Sequence, residues 1–411
     1  MKHFILGVIC FCWCVSLQAQ QITGIAFSGL EKTRSDYLLG FLESSVGEQI
    51  DSARLHGDCQ RLINLEMLSQ VTFTVEQDGE VVFHCKELYT LLPILNFGGI
   101  NDNFWIQVGA TEVNLLGRGY KIYGYYQHYD RSSFAGNLSF DWINGSPWGV
   151  NLGLVKWSTL EPLYFSDGAV SYHYDNRTYG AEGVYHLNYL DKVTVGGSFF
   201  TENYKAVSDL VTGAPALAEK AKLLAKTRFE QNHVNYHDFY LNGWQNTLSL
   251  QGVHSFHSDP FFYIILNDFR FFKRISYGGS LATRFKAGLS KNEESPFAPF
   301  VLDSYVNIRG VGNRVDRGTG AMVLNLEYRH AVFERSKVAV QAVVFSDLGT
   351  WRNPGGTLHD FTDYDNFQMF MGAGIRFIHK RIFNAIFRLD YGCDVKDVKK
   401  NGIVLGLGQY F

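Results

Sequence analysis

The feature that most constrains this chain is period-two alternation, repeated in short runs from Leu92 to Phe411. Successive side chains of an extended strand point to opposite faces, so strict alternation marks a strand between two different surroundings. Leu92 to Gly99, Asn103 to Leu115, Gly119 to Tyr129, Ser133 to Ile143 and Trp148 to Trp157 alternate in quick succession. Arg177 to Asn188, Lys192 to Lys205, His233 to Asn242, Trp244 to Phe256, Phe261 to Arg274 and Tyr277 to Ser290 follow. Met322 to Arg329, Val338 to Gly349, Gln368 to Ile378, Arg381 to Tyr391 and Gly402 to Phe411 bring the series to sixteen. Each run is about ten residues, the length a tilted strand needs to cross a bilayer. An even strand number is what most bacterial membrane barrels require. The expected fold is an all-β membrane protein, a 16-stranded antiparallel transmembrane barrel over 91–411 behind a small α+β domain.

The connections give an independent check. With the N-terminal domain in the periplasm, the inner connections are all brief: 116–118, 144–147, 189–191, Gly243, 275–276, 333–335 and 379–380. The long ones, 158–176, 206–232, 291–319 and 350–367, all fall in the outer set. Short periplasmic turns and long outer loops are the asymmetry such barrels have. Within 206–232, Ala214 to Phe229 has helical composition, with Leu217, Ala221, Leu224 and Ala225 at helical spacing. It reads as a helix that caps the mouth or lies solvated. Aromatics make up 15% of the chain, including 33 Phe and 23 Tyr, which suits interfacial girdles. A mean hydropathy of −0.09 rules out a bundle of membrane helices, and a pI near 6.5 gives no reason to expect nucleic acid.

Residues 1–20 have the layout of a secretory signal: Lys2, an apolar core from Phe4 to Val15, and a small-residue exit at Leu17-Gln-Ala19. Residues 21–90 read as βααββ: a strand at Gln21–Phe27, helices at Ser35–Leu42 and Ala53–Leu68, and a hairpin around Asp78-Gly79. Cys59 and Cys85 share this domain, and an oxidising compartment permits a disulfide between them. Pairing also needs close Cα atoms, so free thiols remain the alternative. Cys393 reads as a free thiol.

The stretch from Asp303 to Gly349 concentrates the remaining signal. A polar, Gly-rich segment carries Ile308-Arg309-Gly310. In the twelfth strand, Met322, Leu324, Leu326 and Tyr328 suit lipid, which points Val323, Asn325, Glu327 and Arg329 into the lumen. In the thirteenth, Gln341, Phe345, Asp347 and Gly349 point inward. Two adjacent strands thus offer Glu327 and Asp347 to one interior, and a guanidinium is the natural bidentate partner for a carboxylate there.

At these residues the chain resembles the BamA/TamA-type outer-membrane protein superfamily, the bacterial surface antigen family, which includes two-partner secretion transporters. The matching motifs are Ile308-Arg309-Gly310, Glu327-Tyr328-Arg329, and Phe345-x-Asp347-x-Gly349, with Asn114-Leu-Leu-Gly117-x-Gly119 further upstream. The resemblance implies that Arg309 locks the loop against Glu327 and Asp347. Val311 departs from the family's aromatic at that position. The βααββ segment resembles a polypeptide-transport-associated (POTRA) domain. Gly29-Leu-Glu-Lys32-Thr33-Arg34, Arg61-Leu62 and Glu87 carry that likeness, and Leu68-Ser69 stands in place of the usual Gly-Phe-like pair. A terminal Phe411 on one face with Ile403, Leu405, Leu407 and Gln409 resembles the signal that outer-membrane assembly machinery reads on its clients.

The resemblance implies an outer-membrane protein with a periplasmic N-terminal domain that inserts or exports polypeptides. Its partners would be membrane lipid, extended or unfolded client chains, and accessory lipoproteins. Clients would meet a seam between the first and last strands, near Phe97, Gly98, Gly99, Gly406, Gly408 and Phe411, since Gly weakens strands. The alternative is a passive pore or structural barrel. No hydrolase, metalloprotease or phosphate-loop motif appears, so no enzyme, metal or cofactor is expected. His233 and His237 share a strand face without evident further ligands.

Overall fold

The computed structural model describes residues 20–100, 103–129, 131–165, 167–237, 239–256, 261–293, 298–302, 307–311, 317–382 and 385–411. The expected signal segment, all but Gln20, lies outside the described residues. The chain begins with a strand, β1 (Gly24–Ser28), then helices α1 (Ser35–Leu39) and α2 (Ser52–Ile63), then the hairpin β2 (Leu68–Val75) and β3 (Glu80–Glu87). The order across this sheet is β1-β3-β2, with β1 parallel and β2 antiparallel to β3. Asp51 caps α2 by accepting from the amides of Ala53 and Arg54. The face of α2 that carries Leu55, Cys59 and Leu62 packs on Val71, Val81 and Phe83. Cys59 and Cys85 are free thiols in this core, so the disulfide permitted by the sequence is not made. Both act instead as small buried hydrophobes, and burial pushes each thiol up to about 11.

The second region is a nearly closed antiparallel barrel. Its first six strands are β4 (Leu91–Ile100), β5 (Asn103–Leu115), β6 (Tyr120–Tyr129), β7 (Arg131–Phe140), β8 (Trp148–Phe165) and β9 (Gly168–His186). Next come β10 (Asp191–Ala206), β11 (Leu217–Tyr236), β12 (Leu241–Ser255), β13 (Phe262–Arg274) and β14 (Gly279–Ser290). Two-residue strands β15 (Phe300–Val301) and β16 (Arg317–Gly318) pair within the following loop. The wall resumes with β17 (Gly320–Glu334), β18 (Val338–Arg352), β19 (Phe367–His379), β20 (Ile386–Asp394) and β21 (Asn401–Leu407). Without β15 and β16, the strands from β4 to β21 form one 16-stranded sheet in sequence order. No helix among the described residues is long and apolar enough to cross a membrane.

The strand number agrees with the sequence pattern, but several boundaries moved. From Leu217 on, the segment 214–229 is strand rather than helix: β11 pairs with β10 from Leu217 to Gln231. Lys222 and Arg228 turn inward to Glu202 at 2.5 Å and Glu182 at 2.6 Å, while Leu223 and Phe229 share the opposite face. Partner strands on both sides outweigh the helical propensity of Ala, Leu and Lys. β11 therefore ends at Tyr236 and β12 begins at Leu241, so Gly243 sits inside β12 rather than at a turn. The expected outer loop 158–176 is mostly the tall hairpin of β8 and β9, held by Leu163, Val170 and Tyr172. The expected strand Arg381 to Tyr391 begins only at Ile386, because Ile382 bridges to Tyr89.

The end of the chain departs most. The last strand stops at Leu407, and Gly408 takes φ +85, the left-handed region open to glycine. Gln409, Tyr410 and Phe411 then fold into the lumen, where Tyr410 and Phe411 are buried beside Val234, Phe272 and Ala282. Phe411 therefore does not share the outward face of Leu405 and Leu407.

Candidate functional site

The lumen beside β17 and β18 holds a buried ionic cluster. Alternation places Glu327 and Asn325 of β17, and Phe345 and Asp347 of β18, on the inner face, all at most 5% exposed. Arg309 reaches them from the loop between β14 and β17 and is itself 0% exposed. Its Nε donates to Asp347 Oδ2 at 2.8 Å and its Nη2 to Asp347 Oδ1 at 2.9 Å, a bidentate fork. Its backbone amide donates to the same carboxylate at 2.9 Å, and its Nη1 donates to Glu327. The guanidinium also lies between two rings: its carbon is 3.6 Å from the centre of Phe345 and 4.5 Å from that of Tyr410.

Glycines let the loop come this close. Gly310 has φ +91, and an added Cβ would sit 2.5 Å from the carbonyl oxygen of Gly392 on β20. Gly392 in turn faces the carbonyl of Arg309, so a Cβ there would sit 2.3 Å from it. A Cβ at Gly349 would meet Ile308 Cδ1 at 2.4 Å. Backbone crosses backbone at Gly310 and Gly392, and the hollow over Gly349 receives Ile308. Val311 packs at the edge of the same apolar cluster as Ile308, Leu302 and Trp351.

The cluster is larger than the pair of strands on which alternation placed it. Arg329 donates to Glu327 at 2.5 Å, and Arg376 donates to Asp390 at 2.6 Å and reaches Glu327 at 3.5 Å. Asn325 donates to Asp347 and to the Asn307 carbonyl, both at 2.8 Å. The folded-in tail completes it: Arg376 and Arg388 donate to Gln409, Arg388 stacks 5.0 Å from the Tyr410 ring centre, and Arg329 donates to the Phe411 oxygen at 3.4 Å. Sequence reasoning missed Arg376, Arg388, Asp390 and Tyr410. The available signal was charge on the lumen-facing positions of two otherwise apolar membrane strands, which is rare without a role.

The motif residues of the N-terminal domain meet the barrel. Gly29 has φ +78 and lies against the Cys85 carbonyl, where a Cβ would clash at 2.2 Å. Glu87 accepts from the amides of Lys32 at 3.0 Å and Thr33 at 2.7 Å, which shapes that loop. Lys32 pairs with Glu112 of β5 at 2.8 Å, and Asn114 donates to the Thr33 hydroxyl at 2.9 Å. The Arg34 amide donates to the Gly117 carbonyl at 2.9 Å. A Cβ at Gly117 would strike the Lys32 carbonyl, so the two motifs interlock through their glycines and backbones. Further links run around the rim: Asp36 to Arg118 at 2.6 Å, Glu66 to Lys121 at 3.0 Å, Asn64 to Asn235 at 3.0 Å, and the Tyr89 amide to the Arg381 carbonyl at 3.0 Å. The domain therefore lies across the barrel mouth formed by the short turns.

The remaining sequence candidates sit at the seam and around the end of β11, where His233 is on the strand and His237 lies just past it. The ladder of β4 with β5 includes Phe97, Gly98 and Gly99. β4 and β21 lie side by side at the two ends of the sheet order, and among the described residues no hydrogen-bonded ladder joins them. Gly406 lies on β21, close to the Arg388 guanidinium. His233 lies 3.0 Å from Asp191 and stacks on Trp244, while His237 stacks on Tyr240. Among the described residues no His, Cys, Asp and Glu are grouped to hold a metal.

No protein-family model matches this chain, and no curated protein matches it. Solved structures do. CdiB from Escherichia coli superposes with a TM-score of 0.62 at 13% identity, covering 94% of this chain and 75% of that one. CdiB from Acinetobacter baumannii gives 0.58 at 12%, covering 95% and 74%. BamA from Haemophilus ducreyi lacking POTRA domains 1–3 gives 0.54 at 14%, covering 94% and 83%. This is the BamA-type barrel fold. In that fold, the described chain combines an unladdered seam, a loop arginine buried in the lumen, and a small domain across the mouth formed by the short turns.

Proposed function

We propose that this chain is an outer-membrane protein that inserts or exports polypeptides through a BamA-type barrel and its lateral seam. The observation that carries the reading is the gap between β4 and β21 in an otherwise laddered wall. Sheet edges present unpaired amides and carbonyls, and an incoming strand can pair with them. The inward turn at Gly408 shortens β21 to seven residues, which leaves more of the β4 edge unmatched. The N-terminal βααββ domain acts as a POTRA domain in the periplasm. Its sheet has free edges at β1 and β2, each suited to holding an extended client. Accessory lipoproteins would join at the same domain. The Arg309 contact is a lock that holds the loop and the barrel while the seam works.

The experiment is a crosslink between a photoreactive residue at Phe97 of β4 and client chains in growing cells, combined with depletion and outer-membrane proteomics. Recovery of outer-membrane or secreted proteins on the crosslink, and their fall on depletion, is the expected result. A crosslink that captures no polypeptide, with an unchanged proteome, would leave the passive-pore reading in its place.

A further inference from the structure

The outward face of the barrel carries a trough over β6 to β10. Gly136 of β7 lies there, and Leu152, Ala181 and Gly197 align across β8, β9 and β10. Gly136, Ala181 and Gly197 keep the floor low on β7, β9 and β10, Leu152 of β8 stands between them, and Leu154, Tyr179 and Phe199 rise at the outer end. The trough holds 670 Å³. From Gly136 on β7 to Gly197 on β10 it spans three strand spacings, about 14 Å, wide enough for more than one acyl chain.

Two cations stand directly beyond it. Lys156 and Arg177 are register partners on the same outward face, two residues past Leu154 and Tyr179. Arg177 is exposed and makes no hydrogen bond or ion pair among the described residues. Lys156 Nζ lies 5.8 Å from the centre of the Phe134 ring. The neighbouring carboxylate, Asp175, is occupied by Arg131 at 2.7 Å and by the Ser158 hydroxyl. At the other end of the same face, Trp148 and Tyr185 pair with ring centres 4.8 Å apart. Trp148 and Lys156 are eight residues apart, about 26 Å along the strand. With a strand tilt of about 40°, that is about 20 Å along the membrane normal, close to the height of the apolar band of such barrels. The aromatic pair therefore marks the inner interface, on the side of the N-terminal domain, and the cation pair marks the outer one.

We propose that this face holds a phosphorylated, multiply acylated glycolipid of the outer leaflet. Its acyl chains lie in the trough and one phosphate sits between Lys156 and Arg177. The charge and the trough belong together: phosphate at the interface supplies the anion these two side chains lack, and the apolar trough accepts the chains attached to it. This site is independent of the transport reading, since a barrel of any function can carry it.

The test uses the full chain, purified in detergent, with bound lipid counted by native mass spectrometry. The probes are diphosphoryl lipid A, the same glycolipid without phosphate, and phosphatidylglycerol. Lys156→Gln with Arg177→Gln is expected to weaken lipid A binding roughly 25-fold, at about 1 kcal/mol for each interfacial cation. Gly136→Leu fills the trough without backbone conflict, since its Cβ meets nothing closer than 3.7 Å, and it too is expected to reduce binding. Binding to the unaltered protein should also fall with added salt, which keeps the test decisive if a variant fails to fold. Equal binding by the double variant, equal binding of the phosphate-free glycolipid, or equal binding of phosphatidylglycerol would each overturn the proposal.

Discussion

Arg309→Ala is the most informative perturbation of the lumen cluster. Glu327 keeps Arg329 at 2.5 Å and Arg376 at 3.5 Å after the change, so it stays paired. Asp347 loses both arms of its fork and retains Asn325 at 2.8 Å and the backbone amide of residue 309. One buried carboxylate is therefore left without a cation. Breaking a buried pair by removing one partner costs about 3–5 kcal/mol. The remaining neutral donors place this case near the lower end, about 3 kcal/mol, or roughly a hundredfold in the ratio of docked to released loop. Proteolysis of a transiently opened segment follows the population of the open form when closing is fast. Limited digestion of the folded barrel should then cut the 291–319 loop roughly a hundred times faster in the variant. Arg309→Lys keeps the charge but not the fork or the stack on Phe345, and should fall between the two. Barrel integrity is checked by heat-modifiable gel mobility. Unchanged loop digestion in a folded Arg309→Ala barrel would refute the reasoning.

Four further outcomes are expected. Gly310→Ala forces a Cβ into a left-handed position against the Gly392 carbonyl and should release the loop to digestion even with Arg309 present. Tyr410→Ala removes one of the two rings on Arg309 and the ring beside Arg388; at about 1–2 kcal/mol for buried cation–π contacts, loop cleavage should rise about five- to thirtyfold, and no rise would detach the tail from the cluster. Across the mouth, Asn64→Cys with Asn235→Cys should crosslink readily, and adding Lys32→Glu, which faces Glu112, should lower the yield; an undiminished yield would mean the Lys32 contact does not hold the domain. Finally, Cys59 and Cys85, raised by burial from an ordinary 9.0 to about 11, stay neutral in the folded domain between those values. Their contribution to stability is full below pH 9 and is lost as pH rises through 11. Alkylation at pH 8 should therefore label half-exposed Cys393 first, and rapid labelling of the other two would contradict their burial.

Alternation alone determined the strand number, the inward faces of β17 and β18, and the identity of the loop that carries Arg309. The reason is local: a period-two pattern between lipid and lumen fixes facing without knowledge of the partner strand. The same local logic failed at 214–229, where Ala, Leu and Lys favour a helix in isolation. Only β10 and β12 on either side, with Glu202 and Glu182 waiting for Lys222 and Arg228, make that segment a strand. It also failed at Gly408, where a single left-handed residue turned the tail from the lipid face into the lumen. Tertiary structure alone decided which charges meet. Arg309, Glu327, Asp347, Arg376 and Asp390 come from five separate stretches of chain, the loop and β17 to β20, and curvature of the barrel wall brings them within reach. The two glycine-bearing motifs at 29–34 and 114–119 were legible separately. Their interlock at Lys32 and Gly117 depends on how the domain docks across the mouth, a rigid-body relation that no local pattern in the chain encodes.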